Sequence, residues 1–258
     1  MSLLIKMLKT LLGMNSPEYL GKKGEDQTVR AIEKNYFLGR EGRILRNLYV
    51  PKDNGETVEI DLVFITIKGI FVVESKNYVG YIFGNERNAN WVQTLYAGKD
   101  YIGRNKVEKH SFYNPIWQNK GHVNYLRKYL KNSYPFISLV VFSDKSELKS
   151  VSINSLDVYV CNRSRLLTVF TEVWKKHSDA LSEEEVDEVY NSLKALADVD
   201  ETIKQKHIEQ IGQKQNNTVI CPRCGGKLIL RMAKNGPTKG RWFYGCSNYP
   251  RCKYTRGT

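Results

Sequence analysis

Asp61, Glu74 and Lys76 stand inside a largely apolar stretch, TVEIDLVFITIKGIFVVESKNY, residues 57–78. Both halves are rich in Val, Ile and Phe, and a glycine sits where the chain must reverse. The stretch therefore reads as two strands joined by a turn at Thr66–Gly69. Glu59 and Asp61 fall on the first strand. On the second, alternation projects Glu74 and Lys76 from one face, two residues apart. Burying these charges beside Phe71, Val72 and Val73 is costly unless they meet a metal or each other. The bland alternative is a solvated ion pair on a sheet face, which contributes little.

A second constellation lies near the other end. Of five cysteines, Cys221, Cys224, Cys246 and Cys252 cluster there, and Cys161 stands alone. Cys221-Pro222-Arg223-Cys224-Gly225-Gly226 forms a knuckle that aims two thiolates at one point. Four thiolates suit tetrahedral Zn²⁺, and a module of this size needs such a staple to fold. An iron–sulfur site is the poorer reading, because the second pair is loosely spaced. Clustered cysteines without a secretory signal argue for metal rather than disulfides, and for a cytoplasmic protein. Cys161, ending the apolar run Asp157–Val160, reads as a small buried hydrophobe.

The elements that position these residues follow from punctuation. Ser16-Pro17 is a helix start, and that helix should reach about Tyr36 and carry Glu25. Ile44–Val50 reads as a first strand and Pro51–Gly55 as a turn into the central hairpin. Short aromatic runs at Tyr78–Phe83 and Trp91–Tyr96, with a third piece near Tyr101, read as an added β-meander. Gly84–Asn90 and Ala97–Asp100 serve as its turns. Asn114-Pro115 repeats the cap-and-proline signal for a helix to about Lys131, with Gln118, His122 and Tyr125 near one face. His122 reads as an ordinary packed or exposed histidine. Pro135–Phe142 and Asp157–Cys161 are buried strands, with helices expected near Arg163–Lys176 and from Ser182, where Ser182 and Glu185 form a capping box. Residues 201–217 read as a helical tail fraying into a linker. The first fourteen residues, MSLLIKMLKTLLGM, place leucines at helical spacing with Lys6 and Lys9 off the stripe. This amphipathic segment (1–16) is too short to cross a bilayer, and can lie on a membrane surface or pack on protein.

Composition is ordinary for a globular chain, 41% hydrophobic and 26% charged, but the formal charge of +13 is not. Residues 203–258 hold twelve Lys or Arg and one acid, Glu209, whereas 178–202 hold nine acids and one lysine. Two basic bodies separated by an acidic segment point to a polyanion.

The order of motifs resembles a known family. Gly24-Glu25 in an early helix, VEIDLVFI, GIFVVESKN and later Asn114-Pro115-Ile116-Trp117-Gln118 are similar to the nuclease-related domain, a branch of the PD-(D/E)xK, restriction-endonuclease-like nucleases. The likeness covers about 17–131. It implies an α/β fold with a mixed sheet flanked by helices, completed by 132–200. It also implies a site of Asp61, Glu74, Lys76, Glu25 and Gln118. Asp61 and Glu74, with the Ser75 carbonyl, would hold Mg²⁺ or Mn²⁺, and Lys76 would act beside a metal-bound water on a phosphodiester. Glu25 would complete the metal shell and Gln118 would face the site. Residues 218–258, CPRCGGKLILR…GRWFYGCSNYPRCKYT, resemble the zinc ribbons of bacterial type I topoisomerases, which bind single-stranded DNA. On that likeness Trp242, Phe243, Tyr244 and Tyr249 would stack bases, and Arg223, Arg231, Arg241, Arg251 and Lys253 would meet phosphates. No topoisomerase body accompanies the ribbon, so topoisomerase catalysis is rejected. Two classes stay open: a nuclease acting on single-stranded or branched DNA, and a catalytically idle adaptor that binds DNA. A membrane-tethered form is a third, weaker reading.

Overall fold

A near-continuous run of buried apolar side chains makes the central hairpin, on which the helices of the first unit pack. In the computed structural model, residues 16–99, 102–131, 134–216, 221, 223–233 and 242–257 are described. The N-terminal segment through residue 15, Tyr101 and Arg241 lie outside them. Two units divide the chain, 1–199 and 200–258.

In the first unit, β1 (Arg43–Pro51), β2 (Thr57–Thr66), β3 (Gly69–Lys76), β7 (Phe136–Phe142) and β9 (Val158–Asn162) form one sheet in the order β1-β2-β3-β7-β9. The first three strands are antiparallel, and β3, β7 and β9 run parallel. Strand β7 (FISLVVF) is buried throughout, as a parallel strand covered on both faces must be. Against one face pack helices α2 (Pro115–Leu130) and α4 (Glu183–Ala197), around Val63, Val72, Leu126 and Leu193. Against the other pack α1 (Pro17–Glu33) and α3 (Leu166–Lys176), around Phe64, Phe71, Ile32 and Phe170.

A second sheet, in the order β6-β5-β4-β8, comprises β4 (Gly80–Asn85), β5 (Asn90–Lys99), β6 (Asn105–Tyr113) and β8 (Ser146–Ser152). Ile82 and Trp91 on its inner face meet Val140 and Phe142 of β7. The expected meander is present but differs in detail. Strand β5 runs through Ala97–Lys99, expected as a turn, and the third strand begins only at Asn105. The third strand, β6, thus lies beyond the piece expected near Tyr101, and β8 was not expected, because their residues are largely exposed and polar and carry no apolar alternation. The first helix ends at Glu33, with a short 3-10 turn at Tyr36–Leu38.

The caps are as expected. Ser16 accepts from the Tyr19 amide, Asn114 from the Ile116 amide, and Ser182 and Glu185 form a reciprocal capping box. In the second unit, the expected helical tail is α5 (Glu201–Asn216). Strands β10 (Leu228–Met232), β11 (Trp242–Cys246) and β12 (Thr255–Gly257) form a three-stranded antiparallel sheet. Among the described residues no helix is long and apolar enough to cross a membrane.

Candidate functional site

The antiparallel register of β2 and β3 pairs Leu62 with Val73, which sets Asp61 across from Glu74 at the carboxyl end of β3. The ladder to β1 pairs Arg46 with Leu62 and Leu48 with Ile60, but the rung between Asn47 and Asp61 is missing, and Asn47 takes a φ of 51°. Ile60 and Val63, of opposite parity, consequently join the same apolar cluster. The alternation slips by one residue at Asp61, an irregularity of the kind that re-aims a side chain. One Asp61 carboxylate oxygen, Oδ2, accepts from the Ser75 amide at 2.8 Å.

Glu74 is 2% exposed. Its Oε1 accepts from Lys76 Nζ at 2.6 Å, and Lys76 also donates to Gln118 Oε1 at 3.1 Å. Oε2 of Glu74 lies 3.4 Å from His122 Nδ1, yet neither atom has a hydrogen-bond partner. Helix α2 thus sends Gln118 and His122, one turn apart, onto the charged pair. Asn119 between them donates to the Val72 carbonyl and to Ser138, tying the helix to the sheet. His122, expected as an ordinary histidine, is therefore part of this cluster. Its spacing of four from Gln118 was the signal available in the sequence.

Glu25 arrives from α1. Gly24 lets that helix approach closely, since a Cβ there would lie 2.9 Å from Asn77 Cβ. Buried Arg163 braces the same turn, donating to Thr28 Oγ1, Gln27 Oε1 and the Gly24 carbonyl, and the Thr28 and Ser75 hydroxyls lie 3.1 Å apart. Arg163 and Thr28 carry no sequence signal, because the brace joins residues 135 apart.

Burial, then the Glu74 charge, holds the Asp61 carboxyl well above its ordinary range, and Glu25 is raised by burial and by Glu59. Burial presses the Lys76 ammonium down, but Glu74 and Asp61 more than offset it, so Lys76 stays protonated. Burial lowers His122 and keeps it neutral. Carboxyls that resist ionisation, together with an unpartnered buried Glu74 oxygen, fit a hard divalent cation. Such a cation accepts one or two carboxylates and keeps several waters. Among the described residues these carboxylates do not close into a tight three-ligand cage; the four cysteines are the only such group, with ligand atoms within 4.8 Å of one another.

In that cysteine group, Sγ–Sγ separations of 3.7 Å (Cys221–Cys252) and 3.4 Å (Cys224–Cys246) approach the edge of about 3.8 Å that Zn–S bonds of about 2.3 Å dictate. A structural Zn²⁺ fits these residues. Around them Tyr244 and Tyr254 pack the small core. Tyr244, expected to stack on bases, is thus used internally. Arg223, Arg231, Arg251, Lys253 and Tyr249 are exposed, and Phe243 is half-buried. Arg231, Phe243, Tyr249 and Lys253 border a hollow of about 290 Å³. Arg241 and the Trp242 side chain lie outside the described residues. Cys161 is buried and free, its thiol pushed up to about 12 by burial, which makes it inert.

Comparison with known proteins agrees with both parts. Residues 20–143 match the nuclease-related domain family, and residues 218–258 match the topoisomerase DNA binding C4 zinc finger. The chain therefore carries a nuclease-related domain followed by a topoisomerase-type C4 zinc ribbon. An uncharacterized protein of Bacillus anthracis is 28% identical over 214 residues, 80% of this chain and 91% of that protein. The ribbon is similar to DNA topoisomerase 1 of Methanocaldococcus jannaschii, 50% identical over 48 residues, 19% of this chain but 6% of the topoisomerase. It is also similar to the uncharacterized protein YrdD of Escherichia coli, 48% identical over 40 residues, 16% of this chain and 19% of that protein. No solved structure matches.

Proposed function

We propose that the chain is a divalent-metal-dependent nuclease that hydrolyses phosphodiester bonds in DNA, with its zinc ribbon holding single-stranded or distorted DNA. The observation that carries this is the meeting of Asp61, Glu74, Lys76 and Gln118 at the carboxyl end of β3, where Glu74 is 2% exposed and Lys76 Nζ lies 2.6 Å from it. Asp61, Glu74 and the Ser75 carbonyl would hold Mg²⁺ or Mn²⁺. That ion supplies Lewis-acid charge and an acidified water. Lys76, kept protonated by its acidic neighbours, donates to the attacked phosphate and offsets the charge that develops there. This makes Lys76 a poor proton acceptor. Glu25, whose proton affinity burial has raised, is better suited to take the proton of the attacking water. Gln118 fixes the Lys76 ammonium through its amide oxygen. In the ribbon, exposed arginines and Tyr249 supply phosphate contacts and one stacking surface.

One observation favours the idle-adaptor reading: Lys76 already neutralises Glu74, and the carboxylates form no tight cage. The two readings separate in one experiment. Purified protein is incubated with Mg²⁺ or Mn²⁺ and labelled single-stranded, duplex and branched DNA. Cleavage lost on chelation and in Glu74→Ala supports the nuclease. Binding without cleavage under every divalent ion leaves the adaptor.

A further inference from the structure

We propose that the outer face of the second sheet holds one unstacked nucleobase between Tyr81 and Tyr96, with a preference for bases bearing an exocyclic amino group; this rests on the nuclease reading above. Tyr81 of β4 pairs with Thr94 of β5, so Tyr96, two residues on, shares its face on the diagonal. Diagonal neighbours in a sheet stand about 7–8 Å apart. A flat ring in contact with both walls, at about 3.5–4 Å from each, needs that spacing. Both tyrosines are open to solvent, at 46% and 65% exposure.

The walls bound a cavity of about 340 Å³, large enough for a small planar ligand. Gly80 shapes its floor. It takes a φ of +79°, and a Cβ there would lie 2.5 Å from the Thr94 carbonyl oxygen, so no other residue lets β4 lie this close to β5. Lys149 Nζ sits 5.3 Å from the Tyr81 ring centroid and is anchored by Glu147 Oε1 at 2.9 Å. That contact steadies the Tyr81 ring.

The rim chooses the base. Asp144 and Glu147 line the cavity, and ionised carboxylates only accept hydrogen bonds. Cytosine N4 or adenine N6 can donate to them, whereas thymine presents a carbonyl oxygen there. Lys145, at the same rim, suits the adjoining phosphate. The slot also lies close to the proposed chemistry. Ser143 donates to the Lys76 carbonyl at 2.9 Å and Gly80 to the Lys145 carbonyl at 3.1 Å, so one turn closes against both. Three residues, Asn77–Val79, link Lys76 at the end of β3 to Gly80 at the start of β4, a span of at most about 14 Å. A strand cut beside Lys76 can therefore place a neighbouring base in the slot.

Single-stranded oligonucleotides carrying 5-iodocytosine at successive positions, irradiated with the intact protein and mapped by peptide mass, test this. A cross-link to Tyr81 or Tyr96 from one position is expected. Tyr96→Ala should remove it and weaken binding about 5- to 150-fold, the range for one stacked base, while Tyr96→Phe keeps both. Cytosine runs should bind more tightly than thymine runs. Cross-links confined to the ribbon, yields unchanged in Tyr96→Ala, or equal binding of the two runs would overturn the proposal. A protein that cross-links here but cuts nothing keeps the slot and overturns the hydrolase reading. One that cuts without cross-linking at these tyrosines loses the slot alone.

Discussion

Asp61 resists ionisation because burial and Glu74 oppose its charge, and this fixes the sign of what its replacement does. An acid whose pKa is raised by folding contributes stability below its unfolded pKa, and that contribution is lost as pH rises through the folded value. Asp61→Asn removes the cost and can still accept the Ser75 amide. The variant should cut no DNA, yet unfold at a higher temperature than the metal-free parent. That gap should widen as pH rises from the acid side through the Asp61 pKa. A thermal melt of both proteins in chelator across a pH series decides it, and a variant less stable at neutral pH would contradict the shift. Lys76→Ala acts in the opposite direction. It leaves Glu74 buried without its partner, a loss of about 3–5 kcal/mol in denaturant unfolding. Asp61, Glu74 and Lys76 were legible because charge in an apolar hairpin is conspicuous. His122 was not, since its meaning depends on Glu74 lying 3.4 Å away across the packing of α2.

At the scale of elements, the site is held by two helices that reach it from opposite faces of the sheet. Helix α2 was readable from its Asn-Pro start, but the Asn114 amide also donates to the carbonyls of Asn85, Glu86 and Asn88, anchoring the helix start to the β4–β5 turn. Helix α1 carries Glu25 and depends on Arg163, which follows β9. No local pattern announces such a brace. The same limit applies to β6 and β8, whose exposed, polar residues give no periodicity, whereas β2, β3 and β7 are written in Val, Ile and Phe. Arg163→Ala leaves Thr28 and the Gly24 carbonyl without its bonds. Hydrogen bonds to charged groups contribute about 1.5–3 kcal/mol each, so losing these two buried bonds should cost roughly 3–6 kcal/mol of stability. If the brace positions Glu25, cleavage measured well below the melting temperature should fall more than DNA binding does. Equal losses in both would reduce Arg163 to a purely structural role.

At the scale of the molecule, the charge asymmetry and the two-unit division meet in the ribbon. The three apolar clusters of the first unit draw on no residue beyond Ala197, so that unit keeps its core without the second. The ribbon, by contrast, has a core of cysteines, Leu228 and two tyrosines. One Zn²⁺ per chain should accompany the purified protein by atomic emission. Cys221→Ser should lose it and unfold the module, because structural zinc contributes on the order of 10 kcal/mol to such units.

Deleting residues 218–258 then removes nine Lys or Arg and no acid, together with Tyr249 and Phe243. Bound zinc with four thiolates carries a net charge of about −2, so the module remains strongly basic. Each phosphate contact adds about 0.7 to the slope of log affinity against log salt on single strands. The truncated chain should bind a short single-stranded oligonucleotide more weakly and with a slope shallower by two or more contacts, about 1.4 or greater. It should melt as the first unit does in the full chain. Anisotropy titrations of both chains over a series of salt concentrations measure the two slopes directly. Equal slopes would mean that the ribbon meets no phosphate, and its exposed arginines and Tyr249 would then serve a protein partner instead.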